Sequence, residues 1–208
     1  MPRAPIIHHG PSWFSSNSAV KFATRVTASN PDEAFLALIA VKGRNLTNLL
    51  INYADRAFYQ AQKLNTQTGL GVGGFDGAIA FRRHHLDPMF VARNNRVLDC
   101  PTGAGWWLWK PCIVLASLHR ALGEGDVLFY ADSGCHFIGN AQPIIKLCQQ
   151  RPDKPILLFS MRPDYLNRCF VKRDCFHYMG LDTPRFTDAI HTCASFFVCK
   201  DSLNGFIF

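Results

Sequence analysis

The chain predicts an α/β domain built on a mostly parallel central sheet. Three observations carry that expectation. Apolar runs of strand length alternate with segments of helical periodicity, as when strands are joined by crossover helices. Glycine and proline punctuate the joints. The 208 residues are 48% hydrophobic and 18% charged, which suits one large packed domain and not a disordered chain.

"LTNLLINYA" (46–54) reads as the first buried strand, and "DRAFYQAQKLNTQ" (55–67) as a helix with Asp55 placed to cap it. A glycine-rich turn then leads into "GAIAFRRHHL" (77–86), whose alternating first half suits a second strand. "DPMFVARNNRVLDCPTG" (87–103) predicts a short helix and a loop. "CIVLASLHRAL" (112–122) predicts an amphipathic helix closed by Gly123 and Gly125. "DVLFYAD" (126–132) is strand-like, "AQPIIKLCQQR" (141–151) helical, "KPILLFSM" (154–161) strand-like, "VKRDCFHYMG" (171–180) helical, and "CASFFVC" (193–199) a last strand. Residues 46–208 are read as the domain and 1–45 as an N-terminal arm or extension. Residues 1–31 lack acids, which fits an irregular arm or a weak organelle-import segment.

Composition narrows the partners. The net charge of +7 favours anionic ligands, but the basic residues are scattered and form no long run. A nucleic-acid stripe is therefore not expected. "AFLALIAV" (34–41) is far shorter than the roughly 20 residues a membrane helix needs, so no transmembrane segment is expected. The eight cysteines show no zinc or CxxC spacing. They read as reduced core residues and favour a cytoplasmic protein. "GLGVGG" (69–74) matches a dinucleotide fingerprint by letter, but it follows a helix and leads into a strand, the reverse of the required order. It reads as a flexible connection.

In parallel sheets ligands gather at the carboxyl ends of strands, which directs attention to Asn52–Asp55 and Asp132–Cys135. Asp132, followed by small Ser133 and Gly134, can approach a divalent ion or a sugar hydroxyl, or simply cap a turn. In "GAGWWLWKP" (103–111), Trp106, Trp107 and Trp109 offer flat faces for a sugar or base, and Lys110 a point charge for a phosphate. Core packing, with Pro111 in a first helical turn, explains the same residues.

"GAGWWLWKPCIVLASL" followed by "GDVLFYADSGC" closely resembles a pattern in a family of viral, bacterial and algal glycosyltransferase-like proteins. That pattern reads Gly-x-Gly-Tyr/Trp-Trp-x-Trp-Lys-Pro, a helix, then Gly-Asp-x-x-x-Tyr-x-Asp-x-Gly-Cys. The likeness continues through "VKRDCFHYMGLDTPRFTDAIHTCASFFVCK" and covers about residues 46–205. It implies a GT-A-type enzyme: a Rossmann-like three-layer sandwich, a nucleotide-sugar donor, a glycan or other hydroxyl acceptor, and often Mn²⁺ or Mg²⁺. By the resemblance, Asp132 is the first acid of an Asp-x-Asp metal motif, while Gly134 stands where the second acid would be. Asn52 and Tyr53 would lie near the nucleobase. Lys110, Lys172 and Arg173 would meet the diphosphate, with Trp107 beside them. Asp174, Asp188 and His191 are the candidates for sugar, acceptor or base. The family pattern continues beyond the position of Phe208, so the chain is expected to be a fragment or a degenerate relative if catalytic groups lie there. A non-catalytic nucleotide- or sugar-binding module on the same sheet is the alternative.

Overall fold

The computed structural model describes residues 40–41, 46–151 and 153–200. Most of the arm assigned to 1–45 lies outside the described residues. Its described part, β1 (Ala40–Val41), pairs antiparallel with β3 (Gly77–Phe81) and so belongs to the domain's sheet. The other strands are β2 (Asn48–Tyr53), β4 (Val127–Ala131), β5 (Ile156–Ser160) and β6 (Thr192–Lys200). Together they form one six-stranded sheet in the order β1-β3-β2-β4-β6-β5.

The molecule is α/β, as expected, but the sheet is mixed. β3, β2 and β4 run parallel, whereas β6 is antiparallel to both β4 and β5. The expectation of a mostly parallel sheet therefore holds only for its centre. β6 inserts between β4 and β5 instead of extending the parallel series.

Strand alternation divides the core into two layers. Leu49, Ile51 and Tyr53 of β2, with Leu128 and Tyr130 of β4, face one side. There they pack on Trp109 and Ile113 of α4 (Trp109–Ala121) and Leu98 of α2 (Pro88–Leu98). Leu50, Val127, Phe129 and Ala131 face the other side, against Leu70 and against Ile145 and Cys148 of α5 (Gln142–Gln149). α1 (Tyr59–Thr68) lies on this second side, where Gln62 and Asn65 meet Asn52. Each fully buried Leu or Ile contributes about 1.5–3 kcal/mol, and two such layers pin the register of every central strand.

The glycine-rich segment is not a flexible connection. Gly69–Gly73 extends α1 as a π-helical turn. A Cβ on Gly69 would meet Leu50 at 2.3 Å, so this glycine permits close packing of the helix on the sheet. α2 is capped at its start: Asp87 accepts a hydrogen bond from the Phe90 N–H at 2.8 Å, with Pro88 in the first turn. All eight cysteines are free thiols, but only Cys148 and Cys199 are buried, and Cys169 and Cys175 are exposed. Among the described residues no helix is long and apolar enough to cross a membrane.

Candidate functional site

From β2 the chain crosses to β3 on one side, and β4 lies on the other. From β4 the chain moves on toward β5 and β6, so the connections leaving β2 and β4 run to opposite sides. A crevice at such a divergence is where open parallel sheets hold ligands. Here it is a cleft of two adjoining chambers. One, of about 290 Å³, is walled by Asp55, Trp107, Trp109, Asp132, Ser133 and Gly134, among others. The second, of about 720 Å³, extends past Arg56, Tyr59, Arg83 and His84, and the two share Tyr53, Ala54, Asp55, Pro101 and Ala104.

The tryptophan wall depends on an unusual backbone. Gly103, Ala104, Gly105, Trp106 and Trp107 all have positive φ, at 57°, 50°, 100°, 53° and 58°. The segment α3 (Gly103–Trp106) is thus a left-handed helical turn. It is closed by bonds from the Trp106 N–H to Thr102 O (2.8 Å) and the Trp107 N–H to Gly103 O (3.1 Å). L-residues resist this hand by about 1–2 kcal/mol each, and such strain concentrates at functional sites. Both glycines are required by space as well as by φ. A Cβ on Gly105 would stand 2.6 Å from the Leu98 Cα, and one on Gly103 would stand 2.6 Å from the Trp107 indole.

The turn sorts the three tryptophans. Trp109 is buried, stacked on Tyr53 at 3.9 Å, and its indole N–H donates to Gly103 O at 3.0 Å. Trp106 and Trp107 stay 53% and 48% exposed, and Trp107 lines the smaller chamber. Lys172 lies over the Trp106 ring at 5.7 Å, a weak cation–π contact.

Asp132 continues the β4 face that carries Tyr130. Its Oδ1 accepts from the Tyr130 hydroxyl and from Lys110 Nζ at 3.2 Å. The Lys110 ammonium also donates to Ala194 O at 2.9 Å and sits 4.5 Å over the Tyr130 ring. Burial, then the Asp132 charge, pushes the Tyr130 phenol well above its usual range. It therefore stays protonated as a donor. Burial likewise pushes the Tyr53 phenol up to about 12.

A polar network behind the cleft fixes the loop after β4. Asn65 Nδ2 donates to the carbonyls of Asp132 (3.3 Å) and Cys135 (3.0 Å), and Ser133 Oγ donates to Tyr53 O at 2.6 Å. The amide of Asn52 donates to Asn65 Oδ1 and Thr66 Oγ1 and accepts from Gln62 Nε2. This corrects the expectation that Asn52 meets a ligand, because alternation turns it away from the cleft onto α1 while Tyr53 faces the cleft wall.

Asp55 also departs from expectation. It occupies the N-cap position of the 3₁₀ turn Arg56–Phe58, yet its side chain makes no capping bond. Its Oδ1 is buried with no hydrogen-bond partner. Only Asn48 Oδ1, at the opposite end of β2, shares that condition among the described residues.

The structure thus brings Tyr53, Trp107, Lys110 and Asp132 together, with Lys172 beside the tryptophan turn. It does not bring the other candidates to the cleft. Arg173 pairs with Asp182 at 3.1 Å, and Asp188 pairs with Arg168. His191 Nδ1 faces Asn167 Oδ1 at 3.0 Å, and its ring stacks on Phe170. Asp174 is exposed in the first turn of the helix Arg173–Tyr178. Sequence reasoning missed Gln62, Asn65 and Thr66. Their i, i+3, i+4 spacing puts one polar stripe on the buried face of α1, which was the available signal.

A hard divalent ion at Asp132 would take one carboxylate from the chain and its remaining oxygens from substrate phosphates and water. Lys110 and Tyr130 already occupy Oδ1, Gly134 offers no second carboxylate, and no group of three or more His, Cys, Asp or Glu gathers among the described residues. Comparison with family models, curated proteins and solved structures finds no match to this chain.

Proposed function

We propose that the cleft binds a nucleoside-diphosphate sugar and that the chain is a glycosyltransferase domain of the GT-A type. One observation supports this above the rest: the half-exposed Trp107 stands in the same small chamber as the carboxylates of Asp55 and Asp132. A flat apolar face receives the C–H face of a pyranose, and nearby acceptor oxygens take its hydroxyls. The larger adjoining chamber leaves room for the nucleotide. The resemblance of "GAGWWLWKP" and "DVLFYADSGC" to the glycosyltransferase-like family points the same way.

In transfer, the anomeric C–O bond of the donor breaks with its electron pair leaving on the diphosphate. The acceptor oxygen forms the new bond, and its proton passes to a base or to water. The chain's part is to hold the sugar on Trp107 and to meet the leaving charge with fixed positive groups.

Thermal unfolding against a panel of nucleotide sugars tests this. A ligand at 100 times its dissociation constant adds about 2.7 kcal/mol, or roughly 5–10 °C for a domain of this size. The shift should come with one donor and vanish in Trp107→Ala. No shift with any donor would end the proposal. A second reading, a module that binds the donor without turning it over, is favoured by Asp188 and His191 lying away from the cleft in partnerships of their own. Release of free nucleoside diphosphate from the bound donor separates the two.

A further inference from the structure

Resting on that reading of the cleft, we infer that Asp55 selects the ribose of the ligand. Its carboxylate receives the 2′- and 3′-hydroxyls, so the site takes ribonucleotides in preference to 2′-deoxyribonucleotides. Asp55 lies on the wall common to the two chambers, with Tyr53, Ala54, Pro101 and Ala104. Only Asp55 and Tyr53 bring polar side chains to that wall. No hydrogen bond or ion pair from a described residue engages the Asp55 carboxylate, and its Oδ1 is buried without a partner. Asp132 differs in this, because Lys110 and Tyr130 already engage its Oδ1.

Position and sign together decide which part of the ligand meets Asp55. With the pyranose on Trp107 in the smaller chamber and the base in the larger one, the shared wall faces the ribose or the diphosphate. Diphosphate oxygens only accept hydrogen bonds and carry the carboxylate's own charge, so that contact is repulsive. A ribose presents two hydroxyls on adjacent carbons, and both can donate to one carboxylate. Hydrogen bonds to a charged acceptor are stronger than neutral ones. A site built to receive a hydroxyl also rejects the analogue lacking it, because its own polar group is then left unpaired. Tyr53 adds no second negative charge to the wall, since burial pushes its phenol up to about 12.

The test uses the diphosphates of uridine, cytidine, adenosine and guanosine, each beside its 2′-deoxy counterpart, titrated by calorimetry in Mg²⁺-containing buffer. None carries a pyranose, so a preference between the two forms comes from the ribose. The wild type should bind a ribonucleotide about tenfold or more tightly than its deoxy form. In Asp55→Ala the ribonucleotide should fall to the affinity of the deoxy form, the two agreeing within about twofold. Asp55→Asn keeps an accepting oxygen but not the charge, and should retain a smaller preference than the wild type. Unfolding midpoints of both variants separate lost binding from lost folding.

Equal affinity for the two forms in the wild type, or a preference that survives in folded Asp55→Ala, would overturn the inference while leaving the nucleotide-sugar reading standing. Nucleotide sugars bound while none of the diphosphates binds would overturn it too, because a ribose held at the shared wall anchors both. Neither diphosphates nor nucleotide sugars binding under any condition would overturn both readings.

Discussion

Single residues carry the choice between stability and binding at this cleft. Asp55 keeps a carboxylate oxygen buried without a partner, a state that costs about 1–3 kcal/mol unless a ligand or water relieves it. Its 3₁₀ turn does not use the side chain as a cap. Replacing Asp55 with Ala should raise the free protein's stability by about 0.5–1 kcal/mol and weaken the bound donor. Chemical denaturation with and without ligand reads both effects, and a destabilised Asp55→Ala would show that the carboxylate has a structural partner after all. The sequence made Asp132, Tyr53 and Trp107 legible, because an acid at a strand end and aromatics near a glycine pair are local signals. It misassigned Asn52 because neighbouring residues on a strand face opposite ways. Which of Asn52 and Tyr53 turns to the cleft depends on where α1 packs, and that is not written in the strand itself.

Among elements, the left-handed turn at 103–107 is the one the sequence announced without explaining. Two glycines stand two apart before paired tryptophans, and the turn they build has a hand opposite to that of the helix that follows it. Gly103 and Gly105 tolerate the positive φ, but Ala104 at φ 50° bears strain. Ala104→Gly should therefore stabilise the domain by about 0.5–1 kcal/mol, the relief of the left-handed strain less the freedom that glycine adds to the unfolded chain. Gly105→Ala meets both the φ penalty and the Leu98 backbone at 2.6 Å, and should cost about 2–5 kcal/mol. Urea denaturation of the two variants gives opposite signs if the turn is as described, and equal small effects if it is not. α1 teaches the complementary point. Its buried face is polar, with Gln62, Asn65 and Thr66 engaged by Asn52, so hydrophobic periodicity alone undervalues it. Its contribution is to hold the Asp132–Cys135 loop at the cleft.

For the whole molecule, apolar runs located the central strands to within a few residues, yet they could not give the direction of β6. A buried strand has the same composition whichever way it runs, and the long connection from β5 to β6 makes either direction reachable. The two-sided burial that the runs did encode also sets how the fold responds to pH. His85 lies in the 3₁₀ turn Arg83–His85, and its Nδ1 accepts the Arg82 N–H at 3.2 Å. Burial, then the charges of His84 and Arg82, lowers its pKa to about 4. The unfolded chain, with an ordinary histidine near 6.5, binds the proton first. Stability from this group is therefore complete above about pH 6.5 and is lost as pH falls toward 4. At the other end, burial raises Tyr53 to about 12. The unfolded phenol ionises first, so that contribution is intact below about pH 10 and lost as pH rises through 12. The thiols of half-buried Cys112 and Cys135 and of buried Cys148, shifted upward by the same cause, begin the alkaline decline earlier, near the usual thiol range. Denaturation midpoints across pH 4–12 should trace a plateau with two limbs. His85→Gln should flatten the acid limb and leave the alkaline limb alone, while Tyr53→Phe should leave the acid limb alone and make the alkaline limb shallower without removing it, because Tyr130 and the thiols still titrate there. If His85→Gln keeps the full acid slope, the histidine is not held neutral by the fold, and its packing behind β3 is looser than its hydrogen bond to Arg82 implies.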